Sequence, residues 1–287
     1  MLIAALAAFT VFYCGIWAKA LWGKRDVGRP SWAELATGLV TNFFDTLGIG
    51  SFATTTSVFK FARMVPDHLI PGTLNVGHTL PVIFQAFIYI AVIQVEPLTL
   101  TLMIASAVAG AWFGAGWVAR LPRRGVRIGV GCALLAAFVA MGMRQLALFP
   151  AGGDALGLQG TKLIVAVAMN GLIAAISTLG IGFYAPCMTL VSLLGMNPAA
   201  AFPIMMGSGA FLMPVASARF VRSEAYSPRV ALGLTIGGLV GVPIAAFLVK
   251  SLPLDAVRWL VMAVVLYAAQ AMLRPEATAD APEGTSR

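Results

Sequence analysis

The stretch Asp45-Thr46-Leu47-Gly48-Ile49-Gly50-Ser51 decides how the rest of the chain is read. It returns as Ser177-Thr178-Leu179-Gly180-Ile181-Gly182-Phe183, an offset of 132 residues. The same offset aligns Ala53 with Ala185, Met64 with Met196, Pro66 with Pro198, Pro71 with Pro203, Gly77 with Gly209 and Leu80 with Leu212. About eleven identities in roughly 37 ungapped positions indicate a duplicated unit. Each copy sets two glycines two residues apart inside an apolar run, where a helix loses about 1 kcal/mol per glycine relative to alanine. A duplicated interruption of a membrane segment points to a transporter's binding site.

The composition around the repeat identifies the solvent. Of 287 residues, 60% are hydrophobic and 10% charged. The apolar residues come in runs of about 20, long enough to cross a bilayer, which excludes a water-soluble fold. The net charge of +8 does not point to nucleic acid, because the basic residues stand at the ends of apolar runs and there set orientation in the membrane. Cys14, Cys132 and Cys187 are scattered in apolar sequence and read as small core residues, with neither a disulfide framework nor a metal site. No cofactor is expected.

Residues 1–30 form an extra N-terminal helix and a basic loop. The cluster Lys19, Lys24, Arg25 and Arg29 follows the apolar run 2–22 rather than preceding it, so the helix is read as retained, with the N-terminus outside. Residues 31–150 are the first membrane repeat and 161–273 the second, joined by the glycine-rich connection 150–160. The Pro-, Ala-, Glu- and Thr-rich tail 274–287 is expected to be disordered and cytoplasmic.

The run from Trp32 to Arg63 would make one helix of about 48 Å, too long for a hydrocarbon core of about 30 Å. Cut at Gly48 to Gly50, it becomes two pieces too short to span, which is the signature of a re-entrant hairpin. Such backbone survives at membrane depth only where protein or a water-filled cavity surrounds it. The basic residues support this. With both glycine-broken segments re-entering, the clusters at 19–29, 60–63, 120–127 and 219–229 and Arg274 all fall on the cytoplasmic side. Each repeat then holds one hairpin and three crossings, and an odd number of crossings inverts the second copy. The fold expected is an all-α polytopic membrane protein: an inverted-topology repeat with two re-entrant or broken helical hairpins plus about seven crossing helices.

The chemistry expected at the breaks is anion binding. A half-helix starting at Ser51, with Ser51 as N-cap, offers free amide N–H groups and the positive end of a dipole, and Gly180 to Gly182 offers the same from the other side. The bland alternative is that these glycines only allow close helix packing. The candidate substrate-binding residues are Asn42, Gly48, Gly50, Ser51, Thr54, Thr55, Asn75, His78, Gly180, Gly182, Tyr184 and Ser208. Asp45, beside the first break, is a candidate proton-coupling acid, with a helix cap or a satisfied buried acid as its alternatives. His78 reads either as a proton relay or as a satisfied core histidine. Asn75 and Ser208, like Gln85 and Asn170, would look the same as glue between helices. Gly110 with Gly114 and Gly233 with Gly237 have a small-residue spacing that could support the face of a homodimer, though the same spacing is common in any helix bundle.

These features resemble the TauE/SafE family of membrane permeases over about Ala33 to Leu273. The carrying residues are Gly48, Ile49 and Gly50, their copies Gly180, Ile181 and Gly182 with Pro186 following, and the small-residue segments at 75–77 and 207–209. The resemblance implies a transporter of a small sulfur-containing anion, such as sulfite or an organosulfonate like sulfoacetate, in the bacterial inner membrane, with the bilayer and the anion as its partners. The turns here read Gly-Ile-Gly where that family often has more consecutive glycines, and Thr54 stands where the second copy has Pro186. A half-helix anion channel is the rival reading. An intramembrane enzyme is less favoured, because no catalytic motif is visible in the sequence.

Overall fold

A computed structural model describes residues 2–23, 27–48, 50–118, 153–177 and 183–248, with scattered positions between 128 and 148 and between 259 and 273. Among the described residues the chain is helical throughout: α1 (Leu2–Trp22), α2 (Trp32–Thr46), α3 (Ser51–Ala62), α4 (Ile70–Val92), α5 (Pro97–Val118), α6 (Gly160–Ser177), α7 (Tyr184–Leu193), α8 (Ala201–Arg222) and α9 (Pro228–Leu248). Short 3-10 turns at Asp67–Leu69 and Pro198–Ala200 lead into α4 and α8.

Five stretches are long and apolar enough to cross a bilayer: Leu2–Trp22, Ile70–Val92, Pro97–Gly114, Pro198–Arg222 and Pro228–Phe247. They match five of the seven expected crossings. The other two, at 126–149 and 256–273, lie mostly outside the described residues, as do the arginine cluster at 120–127 and the C-terminal tail. Phe113 and Phe247 are each 76% exposed, which is intelligible only if lipid, not water, is their neighbour.

The long segment of the first repeat is cut where the glycines stand. Its pieces have 15 and 12 residues, about 22 and 18 Å at 1.5 Å per residue, and neither spans. In the second repeat α6 is described to Ser177 and α7 from Tyr184, and residues 178–182 between them lie outside the described ones. Local geometry recurs between the copies. Arg63 (φ 50°) ends α3 and its counterpart Gly195 (φ 88°) follows α7, both left-handed. The next amide closes the same long hydrogen bond in each copy, Met64 N–H to Phe59 O and Met196 N–H to Val191 O, both 3.1 Å, as in a Schellman ending. The turn after it also repeats: Leu69 N–H donates to Pro66 O, and Ala201 N–H to Pro198 O.

Helix pairs between the repeats meet through small residues. α2 packs along α9 and α6 along α5. A Cβ on Gly237 or Gly241 would strike the backbone of Leu35 or Leu39, and one on Gly110 or Gly114 the backbone of Gly171 or Ala175. A Cβ on Gly233 would meet the Glu34 Cβ at 2.7 Å. The glycines read as a dimer face are therefore buried in contacts within the chain, because close backbone approach is how membrane helices gain dispersion contacts without a hydrophobic drive. Cys187 is buried and Cys14 partly so, but Cys132 is exposed, against the expectation of a core residue. The connection before α6 is held in place. Glu96 N–H donates to Leu156 O (2.7 Å), Leu158 N–H to Thr99 Oγ1 (3.0 Å) and Asn197 N–H to Ala155 O (2.9 Å).

Candidate functional site

α2 is amphipathic in the sense opposite to a soluble helix. Its buried residues are Glu34, Thr37, Gly38, Thr41, Asn42, Asp45 and Thr46, while Trp32 and Val40 face outward. In lipid the polar stripe turns inward, because water is not there to receive it. The helix begins with a capping box: Ser31 N–H donates to Glu34 Oε2 (2.6 Å) and Glu34 N–H to Ser31 Oγ (3.3 Å). The other carboxylate oxygen of Glu34 accepts from Arg229 Nε (3.0 Å) and Nη2 (2.8 Å), joining α2 to the start of α9.

At its far end α2 tightens before it breaks. Leu47 N–H donates to Phe44 O (3.0 Å) and Gly48 N–H to Asp45 O (2.8 Å). Gly48 (φ 86°) and Gly50 (φ 85°) then take backbone conformations that glycine adopts at little cost. A Cβ on Gly48 would touch the Phe202 ring at 3.4 Å and the Met188 methyl at 3.8 Å, so the first break abuts α7 and α8 of the second repeat. Beside Gly50 no described atom lies within 4 Å of a Cβ position.

Ser51 is not the N-cap. Gly50 holds that position without a side-chain cap, and the first amide of α3 is answered from six residues upstream: Ser51 N–H donates to Asp45 Oδ1 at 2.6 Å. The carboxylate reaches because the two glycines fold the chain back on itself. The α3 start, expected to be open to an anion, is thus already occupied by a carboxyl oxygen of the protein itself. Asp45 is 1% exposed, and its second oxygen, Oδ2, has no hydrogen-bond partner. The polar side chains acting on this carboxylate are Gln85, Ser51 and Tyr184, and no basic side chain is among them. Gln85, itself fully buried, also leaves its Oε1 without a partner.

Three other expected residues meet in one buried chain. Asn42 Nδ2 donates to Gly38 O (2.8 Å), which turns Asn42 Oδ1 toward His78 Nδ1 (3.0 Å). His78 Nδ1 is therefore the protonated nitrogen, and Nε2 accepts from Thr55 Oγ1 (3.0 Å). The Phe52 ring lies against the imidazole, with centroids 5.9 Å apart. His78 is a satisfied core histidine that ties α2, α3 and α4 together.

The remaining expected residues divide. Tyr184, first residue of α7, donates its hydroxyl to Met206 Sδ (3.3 Å) and faces Asp45. Thr54 bonds back to Ser51 O (2.8 Å), Asn75 to Pro71 O (2.9 Å) and Ser208 to Ile204 O (2.6 Å), each within its own helix. These three are not drawn into the network, as is usual for short polar side chains in membrane helices. Gly180 and Gly182 lie outside the described residues.

Thr46 and Tyr89, absent from the expected set, belong to the site together with Gln85. Thr46 Oγ1 donates to Asn42 O and receives Gln85 Nε2 (3.0 Å), and the Tyr89 hydroxyl donates to Thr46 O. His78, Gln85 and Tyr89 stand at spacings of seven and four on α4, one face at helical period. That spacing was the available signal. Among the described residues no group of three or more His, Cys, Asp or Glu is placed to hold a metal ion. Comparison with protein-family models, curated proteins and solved structures gives no match.

Proposed function

We propose that the chain is a secondary transporter of a small sulfur-containing anion, sulfite or an organosulfonate such as sulfoacetate. It would work by alternating access in a bacterial inner membrane, with the N-terminus outside and the C-terminus cytoplasmic. The observation that carries this reading is the interruption between α2 and α3. There two glycines at positive φ sit where a helix turns back among buried polar side chains. Non-helical backbone in the interior of a membrane protein is tolerated where it lines a path or a site, and discontinuous helices mark binding sites in transporters.

In this reading the two repeats are inverted copies, and their hairpins enter from opposite faces to meet near the midplane. The matching endings of α3 and α7 support the duplication, and the approach of Phe202 and Met188 to Gly48 supports the meeting. The resemblance to TauE/SafE permeases supplies the substrate class. A membrane potential negative inside assists an anion outward by about 2.3 kcal/mol per charge per 100 mV, which favours export. Flux of sulfite, sulfoacetate, taurine and thiosulfate in vesicles, repeated with Gly50→Leu and Gly182→Leu, tests it. Loss of flux in folded variants is expected, and wild-type rates in both remove the site.

A further inference from the structure

The first break leaves two buried acceptor atoms unanswered. Asp45 Oδ1 takes the Ser51 amide, while Asp45 Oδ2 and Gln85 Oε1, both buried, take nothing. Tyr89 and Thr46 direct their hydroxyl protons onto backbone carbonyls, and Tyr184 directs its own onto a methionine sulfur. A buried carboxylate oxygen with no donor is costly, so the site is incomplete as it stands. What completes it must supply a donor, and a proton on the carboxyl itself is the smallest one that also removes the buried charge.

We infer that Asp45 binds one exchangeable proton on Oδ2 and that its carboxylate is a tethered competitor for the transported anion at the start of α3. This rests on the transport reading above and adds its co-substrate. Ionised, Asp45 occupies the Ser51 amide and repels a second anion. A proton taken from water onto Oδ2 turns an orphaned acceptor into a donor, removes the charge, and weakens the hold of Oδ1 on the amide, since hydrogen bonds to a charged acceptor are the stronger ones. The anion then replaces Asp45 at the amide. Proton and anion bind together because each removes an obstacle to the other, and the coupling is reciprocal. The second repeat has Ser177 at the position of Asp45, so only one of the two hairpins carries this device.

The groups around Asp45 leave it free to titrate alone. From α3 it meets Ser51; from α4, Gln85 and the Tyr89 hydroxyl; from α7, Tyr184. His78 of α4 is engaged by Asn42 and Thr55. Arg229, on the α9 side, is bound to Glu34 at the other end of α2.

The test uses the full chain in nanodiscs, with thiosulfate as the probe. Infrared difference spectra across pH should show the carbonyl stretch of a protonated carboxylic acid that is missing from Asp45→Asn, and its titration should move to higher pH when thiosulfate is added. Thiosulfate affinity measured on the wild type should rise as pH falls, by up to tenfold per pH unit while one proton enters with each anion, and Asp45→Asn should bind independently of pH. A wild-type affinity flat with pH overturns the inference even if the variant fails to fold. So does an acid band identical in wild type and variant, or a band that answers to sodium instead of pH. An Asp45 band that titrates and shifts with thiosulfate in a chain that moves no anion across vesicles sustains the proton site and removes transport.

Discussion

Replacing Gly50 by alanine isolates the backbone of the break from everything around it. An alanine Cβ at position 50 meets no described atom within 4 Å, so no described neighbour stands in its way, yet φ is 85° and ψ 127°, a region nearly closed to L side chains. Holding alanine there costs about 1–3 kcal/mol. The substitution also restricts the unfolded chain, which returns about 0.4–1 kcal/mol. The expected net loss is about 1–2 kcal/mol, roughly a 5- to 30-fold shift in the folding equilibrium. Gly15, in the middle of α1, is the control: its Cβ space is equally open and its φ is ordinary. Gly15→Ala should be neutral, or stabilising by up to about 1 kcal/mol of helix propensity. Reversible unfolding by SDS in mixed micelles, followed by circular dichroism, reads both. Equal midpoints for Gly50→Ala and wild type would mean that α2 and α3 do not need the left-handed turn, and the break would lose its structural basis.

His78→Ala leaves Asn42 Oδ1 and Thr55 Oγ1 buried without partners, at about 1–3 kcal/mol for each orphan, and the same titration should show a clear fall in midpoint. Arg229→Ala strands Glu34, which is 2% exposed, but the arginine is 52% exposed. Solvent screening therefore holds the cost to about 1–3 kcal/mol, below the value for a wholly buried pair. Adding Glu34→Gln should recover part of it in a double-mutant cycle. Glu96, in the loop before α5, accepts from Thr99 N–H (2.6 Å), the Thr99 hydroxyl and Leu98 N–H. The Thr99 bonds, side chain first, hold its carboxyl below the ordinary 4.5. Its folded value lies under its unfolded one, so its contribution is complete above the unfolded value and is lost as pH falls through the folded one. Unfolding midpoints recorded from pH 6 to pH 3 should decline more steeply for wild type than for Glu96→Gln.

What the sequence disclosed was what depends on backbone freedom and apolar length. The glycine pair at 48 and 50 marks an interruption, because no regular helix prefers two such residues; the same reading of Gly180 and Gly182 falls on residues outside the described ones. The function of Asp45 at the first break was less legible, because its partner is the Ser51 amide, and a backbone donor leaves no trace in residue type. The bond of Glu34 to Arg229 joins residues 195 apart, a distance over which sequence pattern says nothing. Asn75 and Ser208 illustrate the converse: polar side chains on membrane helices attract notice, but both here serve their own helix.

Counterflow of labelled thiosulfate in vesicles containing the purified chain tests the central claim most directly. A binding site that alternates between faces predicts that unlabelled thiosulfate inside accelerates entry of the label, that the rate saturates, and that sulfite competes. Flux that rises linearly with concentration and ignores the inner anion, or that matches empty vesicles, would contradict it.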